Sequence, residues 1–379
     1  MAARKRVLSG MRPTGRLHIG HYFGALDNWI KLQSDADYEC FFFVADWHAL
    51  TSDYADTSQI AQNTVEIGID WLAAGLDPAK CTLFVQSQVP EHAELNLLLG
   101  MVAPLGWLER VPTYKEQLEN IKDKDLHTFG FLGYPVLQTA DIVMYGCSGS
   151  ELFVPVGEDQ VPHVEMSREV VRRFNAAFGA FPERLRPFSI DRRLSVMANE
   201  KIPVEQVLRE PAALLTATPR IAGTDGRKMS KSYNNYILLG EDGNSIRKKV
   251  RGMMTDPARK LRTDKGNPDV CPVFSWHKLF SNDGVISRVN KECRTAEIGC
   301  VDCKGLMADG LVKWIEPMRA RRQEYESHPG RVLEILDNGS KKAQKVAQET
   351  MARVREAVFG WKGKRDELTQ SANPAARGE

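Results

Sequence analysis

Length, composition and charge limit what this chain can be. It has 379 residues, 42% of them hydrophobic, which is enough for two domains with sizeable cores. The formal charge of +2, from 51 basic and 49 acidic residues, excludes a global positive field, so any nucleic-acid surface is a local patch. Residues 1–6 lack the apolar region of a signal peptide, and no apolar run reaches about 18 residues. We therefore expect a cytoplasmic protein with no membrane partner.

Short apolar runs bounded by turns or polar residues predict the strands of the first half. They lie at residues 5–9, 40–45, 81–85 and 152–156. Helical patterns lie between and after them, at residues 19–30, 57–75 and 160–178. This alternation predicts an α/β fold with a Rossmann-like doubly wound parallel sheet over residues 1–239. Ligands of such sheets bind at the carboxyl ends of the strands.

Two further regions are predicted to be helical. Residues 87–133 interrupt the alternation and are predicted to be an insertion between two halves of the nucleotide fold. Beyond residue 239 the strand-like runs disappear, so residues 240–368 are predicted to form an all-helical domain, followed by a flexible polar tail at 369–379. The apolar residues of the insertion supply either a dimer interface or ordinary core; they are Leu97, Leu98, Leu99, Met101, Val102 and Leu105.

A turn rich in proline and glycine delivers the motif His18-Ile19-Gly20-His21 to the start of a predicted helix. The N–H groups at a helix N-terminus are unpaired and carry partial positive charge, which suits phosphate. His18 and His21 are three residues apart and therefore share one face of the first turn. Gly20 has no side chain, so an adenine ring could lie against its backbone. Alone, this short motif recurs by chance.

A second motif, Lys228-Met229-Ser230-Lys231-Ser232, begins 210 residues after His18. It follows the turn at residues 223–226 and places two lysines and two hydroxyls on a short loop. Alone, such a run could be a solvated charged loop. In this order and at this distance, the two motifs resemble the HIGH and KMSKS signatures of class I aminoacyl-tRNA synthetases.

This resemblance implies activation of an amino acid with ATP and Mg²⁺, in which a carboxylate attacks the α-phosphate and pyrophosphate leaves. Positioning and charge stabilisation supply most of the rate in such a reaction. The implied catalytic residues are His18, His21, Lys228 and Lys231. The implied ATP-binding residues are Arg12, Thr14, Gly20, Gly157, Asp159, Ile221, Met229 and Ser230. The sequence shows no cluster of carboxylates dedicated to Mg²⁺, so ATP oxygens are expected to supply most of the ligands of the ion.

Two segments narrow the resemblance to one amino acid. Residues 133–142 and 154–160 resemble the substrate pocket of tryptophanyl-tRNA synthetases. Tyrosyl enzymes, the nearest alternative, usually carry a double glycine where this chain has Val156-Gly157. The implied tryptophan-binding residues are His48, Tyr134, Gln138, Asp141, Val156 and Gln160.

Asp141 is the residue that the resemblance places on the indole N–H. A carboxylate in an apolar pocket is costly unless it is paired, so a substrate lacking the N–H is rejected. On its own, Asp141 could equally be an acid on a helix surface. Gln138 and Arg12 depart from the methionine and glutamine that many bacterial tryptophanyl enzymes have at these positions. These differences leave the contacts to the substrate's amino group open.

Four of the seven cysteines lie within 33 residues and are separated by 21, 6 and 2 residues: Cys271, Cys293, Cys300 and Cys303. The Cys300-x-x-Cys303 pair can reach one metal centre, and the upstream cysteines can complete it. Similar spacing occurs in the branch of tryptophanyl-tRNA synthetases that holds a [4Fe–4S] cluster beside the anticodon-binding region. A structural Zn²⁺ is the alternative, because Cys₄ ligation suits both.

The predicted partners are tRNA(Trp), L-tryptophan and a second copy of the chain, with no DNA. We expect a local anticodon-reading patch in the helical domain, at Arg319, Arg321, Arg322, Lys341, Lys342 and Lys345. Ordinary solvated helix faces would give the same pattern. The alternatives to a tryptophan–tRNA ligase are a tyrosine–tRNA ligase of the same fold and a non-catalytic tRNA-binding or regulatory paralogue. Such a paralogue is expected to have lost one motif, and here both are complete.

Overall fold

The computed structural model describes residues 4–120, 124–146, 149–203, 205–215 and 221–372. Five parallel strands form one sheet in the order β3-β2-β1-β4-β5. They are β1 (Lys5–Met11), β2 (Tyr38–Val44), β3 (Cys81–Val85), β4 (Leu152–Val156) and β5 (Pro211–Leu215). The order reverses on either side of β1, which makes the β1–β4 boundary the topological switch point of the sheet. The predicted doubly wound fold is confirmed.

Helices cover both faces of this sheet and fill the insertion. They are α1 (Ile19–His21), α2 (Asp27–Leu32), α3 (Asp46–Asp53), α4 (Ile60–Ala74), α5 (Glu91–Gly100), α6 (Leu105–Leu108), α7 (Pro112–Asn120), α8 (Phe129–Met144), α9 (Val161–Phe178) and α10 (Ile190–Asn199). A π-helical segment, Tyr22–Leu26, joins α1 to α2. Gly75 ends α4 with φ +119°, a left-handed conformation that glycine adopts without strain.

All four predicted strands are present, but β5 was not predicted from the sequence. The strand has only five residues, Pro-Ala-Ala-Leu-Leu, and none of them is β-branched or aromatic. The strand lies at the edge of the sheet and its last residue, Leu215, is exposed. An edge strand needs less apolar character than a central one, so its sequence signal is weak.

The segment predicted to be an insertion contains helices α5, α6 and α7, and its apolar residues divide into two groups. Leu99 and Val102 belong to the core that includes Phe41 and Phe43 of the sheet. Leu97, Met101 and Leu105 are 59%, 70% and 59% exposed. Phe129, just beyond α7 at the start of α8, is 87% exposed. The insertion therefore combines core residues with apolar side chains that lie on the surface.

Beyond residue 240 the described chain is helical apart from loops and short turns. The helices are α11 (Gly243–Arg251), α12 (Pro272–Phe280), α13 (Asp283–Thr295), α14 (Cys300–Ser327), α15 (Pro329–Phe359) and α16 (Trp361–Ala372). Helix α16 therefore extends into the predicted tail, whose residues 373–379 lie outside the described part of the chain. Among the described residues, no helix is long and apolar enough to cross a membrane.

Helix α15 covers the exposed edge of the sheet at β3. The Ser340 hydroxyl accepts the backbone N–H of Val85 at 3.1 Å. Gly339, one residue earlier, lies so close to β3 that an added Cβ would overlap the carbonyl oxygen of Leu83. The edge strand is therefore capped by a helix from the C-terminal region, which removes a template for unwanted strand pairing.

Candidate active site

The predicted site residues follow the carboxyl ends of the strands. Arg12 and the HIGH turn follow β1, and Gly157 and Gln160 follow β4. His48 stands in α3, directly after β2. These segments meet at the switch point of the sheet, where a ligand-binding crevice is expected.

The HIGH turn has a defined internal geometry. His18 is the N-cap of α1, and its ring stacks on that of His21 with centroids 3.7 Å apart. The Nδ1 of His21 accepts the backbone N–H of His18 at 3.2 Å, so neutral His21 carries its proton on Nε2. Burial, reinforced by the positive charge of Lys231, lowers the pKa of His18 to about 4. Burial and the charges of His18 and Lys231 lower the pKa of His21 to about 3. Both histidines are therefore neutral hydrogen-bonding groups at physiological pH.

The KMSKS loop packs directly on the HIGH turn. The Lys231 ammonium donates to the carbonyl oxygen of Thr14 at 2.6 Å. A Cβ on Gly20 would lie 2.9 Å from the His18 ring and 3.5 Å from Cβ of Met229, so only glycine fits there without a shift. Lys228 is exposed at the mouth of this junction. The two motifs, 210 residues apart in the chain, are thus brought together.

Asn235 holds the loop in this position and was not predicted from the sequence. Its Oδ1 accepts the Ser230 N–H at 2.7 Å, and its Nδ2 donates to the Lys228 carbonyl oxygen at 3.0 Å and to Asp225 at 2.7 Å. The side chain is 1% exposed. Hydrogen bonding by Asn235, opposed by some burial and helped by Arg227, lowers the pKa of Asp225 to about 2. A polar asparagine following a lysine-rich loop was the available signal, but only the fold shows what it contacts.

A cavity of about 440 Å³ opens beside the HIGH turn, between the ends of β1, β2 and β4. All six predicted tryptophan-binding residues line it, together with two of the predicted ATP-binding residues: His48, Tyr134, Gln138, Asp141, Val156, Gln160, Arg12 and Gly157. The other predicted ATP-binding residues, Thr14, Gly20, Asp159, Ile221, Met229 and Ser230, are not part of its lining. Ile221 and Met229 are instead buried in the core beneath the HIGH turn.

Asp141 lies at the wall of this cavity and is surrounded by hydrogen-bond partners. The side chain is 1% exposed, and both oxygens accept hydrogen bonds from Gln86 Nε2 at 2.8 Å. His48 Nε2 lies 2.9 Å from Oδ2, and His92 Nδ1 lies 2.6 Å from Oδ1. Burial alone would raise the pKa of Asp141, but the hydrogen bonds from His48 and His92 outweigh it and lower that pKa. The carboxylate is therefore ionised, and it is not the helix-surface acid of the alternative interpretation.

Gln86 and His92 were not predicted. Gln86 directly follows β3, a position where a strand-end residue faces the crevice, so its location was the available signal. His92 lies on α5 in the insertion, is 0% exposed, and pairs its Nε2 with the Tyr145 hydroxyl at 2.8 Å. Nothing in its local sequence distinguishes it from an ordinary core histidine.

Arg12 lines the cavity, and hydrogen bonds to α3 fix its side chain. Its Nη2 donates to the Ser52 hydroxyl at 2.6 Å and to Asp53 at 2.8 Å, both at the end of α3. Burial lowers the pKa of this guanidinium, and Asp53 opposes that effect. Arg12 is thus a positive group fixed at the wall of the cavity.

The expected RNA-binding residues have different environments. Lys341, Lys342 and Lys345 are exposed on α15. Arg322, in contrast, is 2% exposed and forms ion pairs with Asp70, Glu66 and Glu326. The prediction that Arg322 contacts RNA is therefore wrong: a guanidinium paired inside the protein is not available to phosphate.

The four clustered cysteines lie at the ends of three helices: Cys271 before α12, Cys293 in the last turns of α13, and Cys300 and Cys303 in the first turn of α14. Burial, followed by the charges of the other three sulfurs, raises the pKa of Cys303 to about 12. Three of the four, Cys271, Cys293 and Cys303, pack against the same small core. Among the described residues, however, no group of three or more His, Cys, Asp or Glu side chains is arranged to hold a single metal ion.

The Rossmann-like sheet, the strand-end cavity and the joined HIGH and KMSKS motifs define a class I aminoacyl-tRNA synthetase. Within that class, residues 2–316 match the family described as tRNA synthetases class I (W and Y), and the chain belongs to this family.

Known relatives are similar in sequence to this chain over almost its full length. A tryptophan–tRNA ligase of Ralstonia nicotianae is 49% identical, with 93% of this chain and 98% of the relative covered. One of Aquifex aeolicus is 41% identical, with 93% and 99% covered. The structure of the tryptophanyl-tRNA synthetase of Campylobacter jejuni in complex with ADP and tryptophan superposes with a TM-score of 0.77 at 29% identity. That alignment covers 93% of this chain and 99% of the other.

Proposed function

We infer that the chain is a tryptophan–tRNA ligase. It activates L-tryptophan with ATP to tryptophanyl-adenylate and pyrophosphate, then transfers the tryptophan to tRNA(Trp). The observation that carries this inference is the buried, ionised Asp141 at the wall of a cavity beside the HIGH turn. The relatives that are named tryptophan–tRNA ligases support it. Since its substrates are those of translation, we expect it to act in the cytoplasm.

For the activation step, the two motifs supply hydrogen bonds and charge to the ATP phosphates. A carboxylate oxygen of tryptophan attacks the α-phosphorus, and the bond to the bridging oxygen of pyrophosphate breaks. His21 offers its Nε2–H, and the Nδ1 of His18 is buried without a partner among the described residues. Lys231 and Lys228 stand where charge accumulates on the leaving pyrophosphate, and Mg²⁺ is coordinated chiefly by ATP oxygens. Thr14, Gly20, Met229 and Ser230 shape the junction that receives the nucleotide.

For substrate choice, Asp141 accepts the indole N–H. Its two oxygens already receive four hydrogen bonds, which is about the capacity of an ionised carboxylate. His48 is the donor at the cavity wall, so the indole N–H shares or replaces that bond, while Gln86 and His92 remain behind the carboxylate. Tyr134, Gln138 and Gln160 bind the amino and carboxylate end of tryptophan. Gly157 and Asp159 approach the ribose of ATP, and Ile221 the adenine.

We propose that the four cysteines hold a structural [4Fe–4S] cluster. The support for this cluster over a single Zn²⁺ is the resemblance of the cysteine spacing to that of the iron–sulfur branch, because Cys₄ ligation suits both metals. Arg259 Nη1 lies 3.6 Å from the Cys293 sulfur and His277 Nε2 lies 3.4 Å from that of Cys303, and both can donate to thiolates. Bound, such a cluster ties α12, α13 and α14 together, and the ligase reaction needs no electron from it.

The remaining partners are assigned to two surfaces. The exposed apolar residues Leu97, Met101, Leu105 and Phe129 form the interface of a homodimer. The exposed lysines of α15 contribute to binding of tRNA phosphates.

The test is ATP–pyrophosphate exchange by protein purified without oxygen, measured with each of the twenty amino acids, followed by aminoacylation of tRNA(Trp). We expect exchange with tryptophan and tryptophan-dependent charging of the tRNA. Exchange with tyrosine alone would keep the fold and the chemistry but overturn the assignment of the Asp141 pocket. No exchange with any amino acid, from folded protein, would instead support a non-catalytic tRNA-binding paralogue.

A further inference from the structure

A buried ion cluster joins the C-terminal helices to the HIGH turn. Its centre is Arg322 on α14, which is 2% exposed and donates to Asp70 and Glu66 on α4. The Nε of Arg322 lies 2.9 Å from Glu326, so one guanidinium serves three carboxylates. Neither motif includes any of these residues, and the reaction described above does not use them.

Asp70 connects this cluster to the catalytic motif. It is 1% exposed and its Oδ2 accepts the backbone N–H of Leu17 at 2.6 Å, the residue directly before His18. Burial raises the pKa of Asp70, and Arg322 and the Leu17 amide oppose that rise. The pairing with Arg322 thus favours the charged form of an acceptor that lies where the chain enters the HIGH turn.

The segment after the KMSKS loop is joined to the HIGH turn by backbone hydrogen bonds. Leu239 donates its N–H to the Leu17 carbonyl oxygen at 3.0 Å, and Ile19 donates its N–H to that of Ile237 at 3.0 Å. At Gly240 an added Cβ would overlap the side chain of Arg322, so the guanidinium stem lies directly over this backbone. The charge of Asp70 also reaches Lys231, where it opposes the burial that lowers the lysine's pKa.

We propose that Arg322 and Asp70 are positioning residues for amino-acid activation, which fix the HIGH turn and the KMSKS segment through the amide of Leu17. Because Arg322 belongs to α14, the catalytic turn is correctly placed only when the C-terminal helices are docked on α4. The inference rests on the proposed function for its kinetic consequence. The geometric part of the inference, that the ion cluster orders the HIGH turn, does not depend on the proposed function.

The test compares Arg322→Lys and Asp70→Asn with a variant that weakens the same interface elsewhere. Arg322→Lys keeps the charge but loses the fork that serves three carboxylates. Asp70→Asn keeps an acceptor for Leu17 but removes the charge. The matched control is Val332→Ala on α15, because the buried side chain of Val332 packs against Gly68 of α4, two residues from Asp70. A second control, Leu336→Ala on α15, removes another buried side chain that packs against Gly68 of α4.

We expect both cluster variants to lower kcat of tryptophan-dependent exchange by about tenfold to a hundredfold and to raise KM for ATP, with KM for tryptophan unchanged within about twofold. In hydrogen–deuterium exchange, the amides of residues 17–22 become less protected. Both controls keep their kinetics and the protection of this turn at temperatures below unfolding, even where the melting temperature falls.

Each outcome decides one point. Cluster variants that keep kcat, KM for ATP and turn protection would overturn the proposal, and so would equal losses in Val332→Ala. If a cluster variant does not fold, the other and the two controls carry the comparison. A native protein without tryptophan-dependent exchange, but with the predicted change in amide protection, would refute the proposed function and leave the link between cluster and turn standing.

Discussion

His48 and His92 approach the two oxygens of Asp141 from different sides. His48 Nε2 lies 2.9 Å from Oδ2 at the cavity wall, and His92 Nδ1 lies 2.6 Å from Oδ1 in the core. His92 donates to Asp141 from Nδ1, and its Nε2 accepts a hydrogen bond from the Tyr145 hydroxyl. The acceptor that faces the substrate is therefore kept ionised by His48 at the cavity wall and by His92 behind it.

This arrangement predicts how the pocket distinguishes an indole from its sulfur analogue. In Asp141→Asn, kcat/KM for tryptophan is expected to fall by about tenfold to a hundredfold, because a hydrogen bond to a charged acceptor is lost. The native enzyme should discriminate strongly against benzothienylalanine, which has sulfur in place of the N–H, and the variant should discriminate much less. Steady-state exchange kinetics with both substrates measures this. Equal discrimination by the native protein and the variant would contradict the assigned role of Asp141.

The neutral histidines of the HIGH turn predict a pH dependence of stability. The folded-state pKa values of His18 and His21, about 4 and about 3, lie below the unfolded value of about 6.5. As pH falls from about 6.5 to 4, the unfolded chain binds more protons than the folded one, so the free energy of unfolding decreases. Denaturant titrations between pH 7 and pH 4.5 should show this loss, and His21→Asn should reduce it. An unchanged slope in the variant would show that His21 is not protected from protonation.

The sequence indicated the sheet because buried parallel strands are continuous apolar runs, such as Cys-Phe-Phe-Phe-Val in β2. It indicated the two motifs because each is local. It could not indicate Asn235 or His92, whose roles depend on residues from other elements. Arg322 shows the reason most clearly. Its partner Asp70 is 252 residues away in the chain, and without the fold a lysine- and arginine-rich helix resembles an RNA-binding face.

The cysteine cluster predicts a measurable metal content. Protein purified without oxygen should contain about four iron and four acid-labile sulfide per chain and absorb broadly in the visible range. The double change Cys300→Ser and Cys303→Ser should abolish both and destabilise the helices that meet there. Cys40→Ala, a buried cysteine in β2, is the control and should retain the iron. One zinc per chain and no iron would favour the Cys₄ zinc site, and neither metal would refute ligation by these cysteines.

The exposed apolar surface of the insertion predicts a dimer that charge disrupts. The native protein should have twice the 42.5 kDa mass of the chain in light scattering. Met101→Glu with Leu105→Glu, at side chains 70% and 59% exposed, should yield a folded monomer, because unpaired charges cannot be buried in an apolar interface. Leu261→Glu, at a comparably exposed leucine in the helical region, should leave the mass unchanged. A monomeric native protein would contradict the interface.

The contact between α15 and β3 predicts that an added methyl group has different effects on stability at two glycines of α15. Gly339→Ala should destabilise the protein by about 2–5 kcal/mol, because the added Cβ overlaps the Leu83 carbonyl oxygen and forces the helix off the strand. Gly330→Ala, in the same helix with no atom within 4 Å, should be neutral or stabilise by about 0.5–1 kcal/mol. Ser340→Ala should cost about 1–3 kcal/mol by leaving the Val85 N–H without an acceptor. Urea unfolding of the three variants measures these differences. Equal stability of the two alanine variants would mean that α15 is not seated on the strand edge.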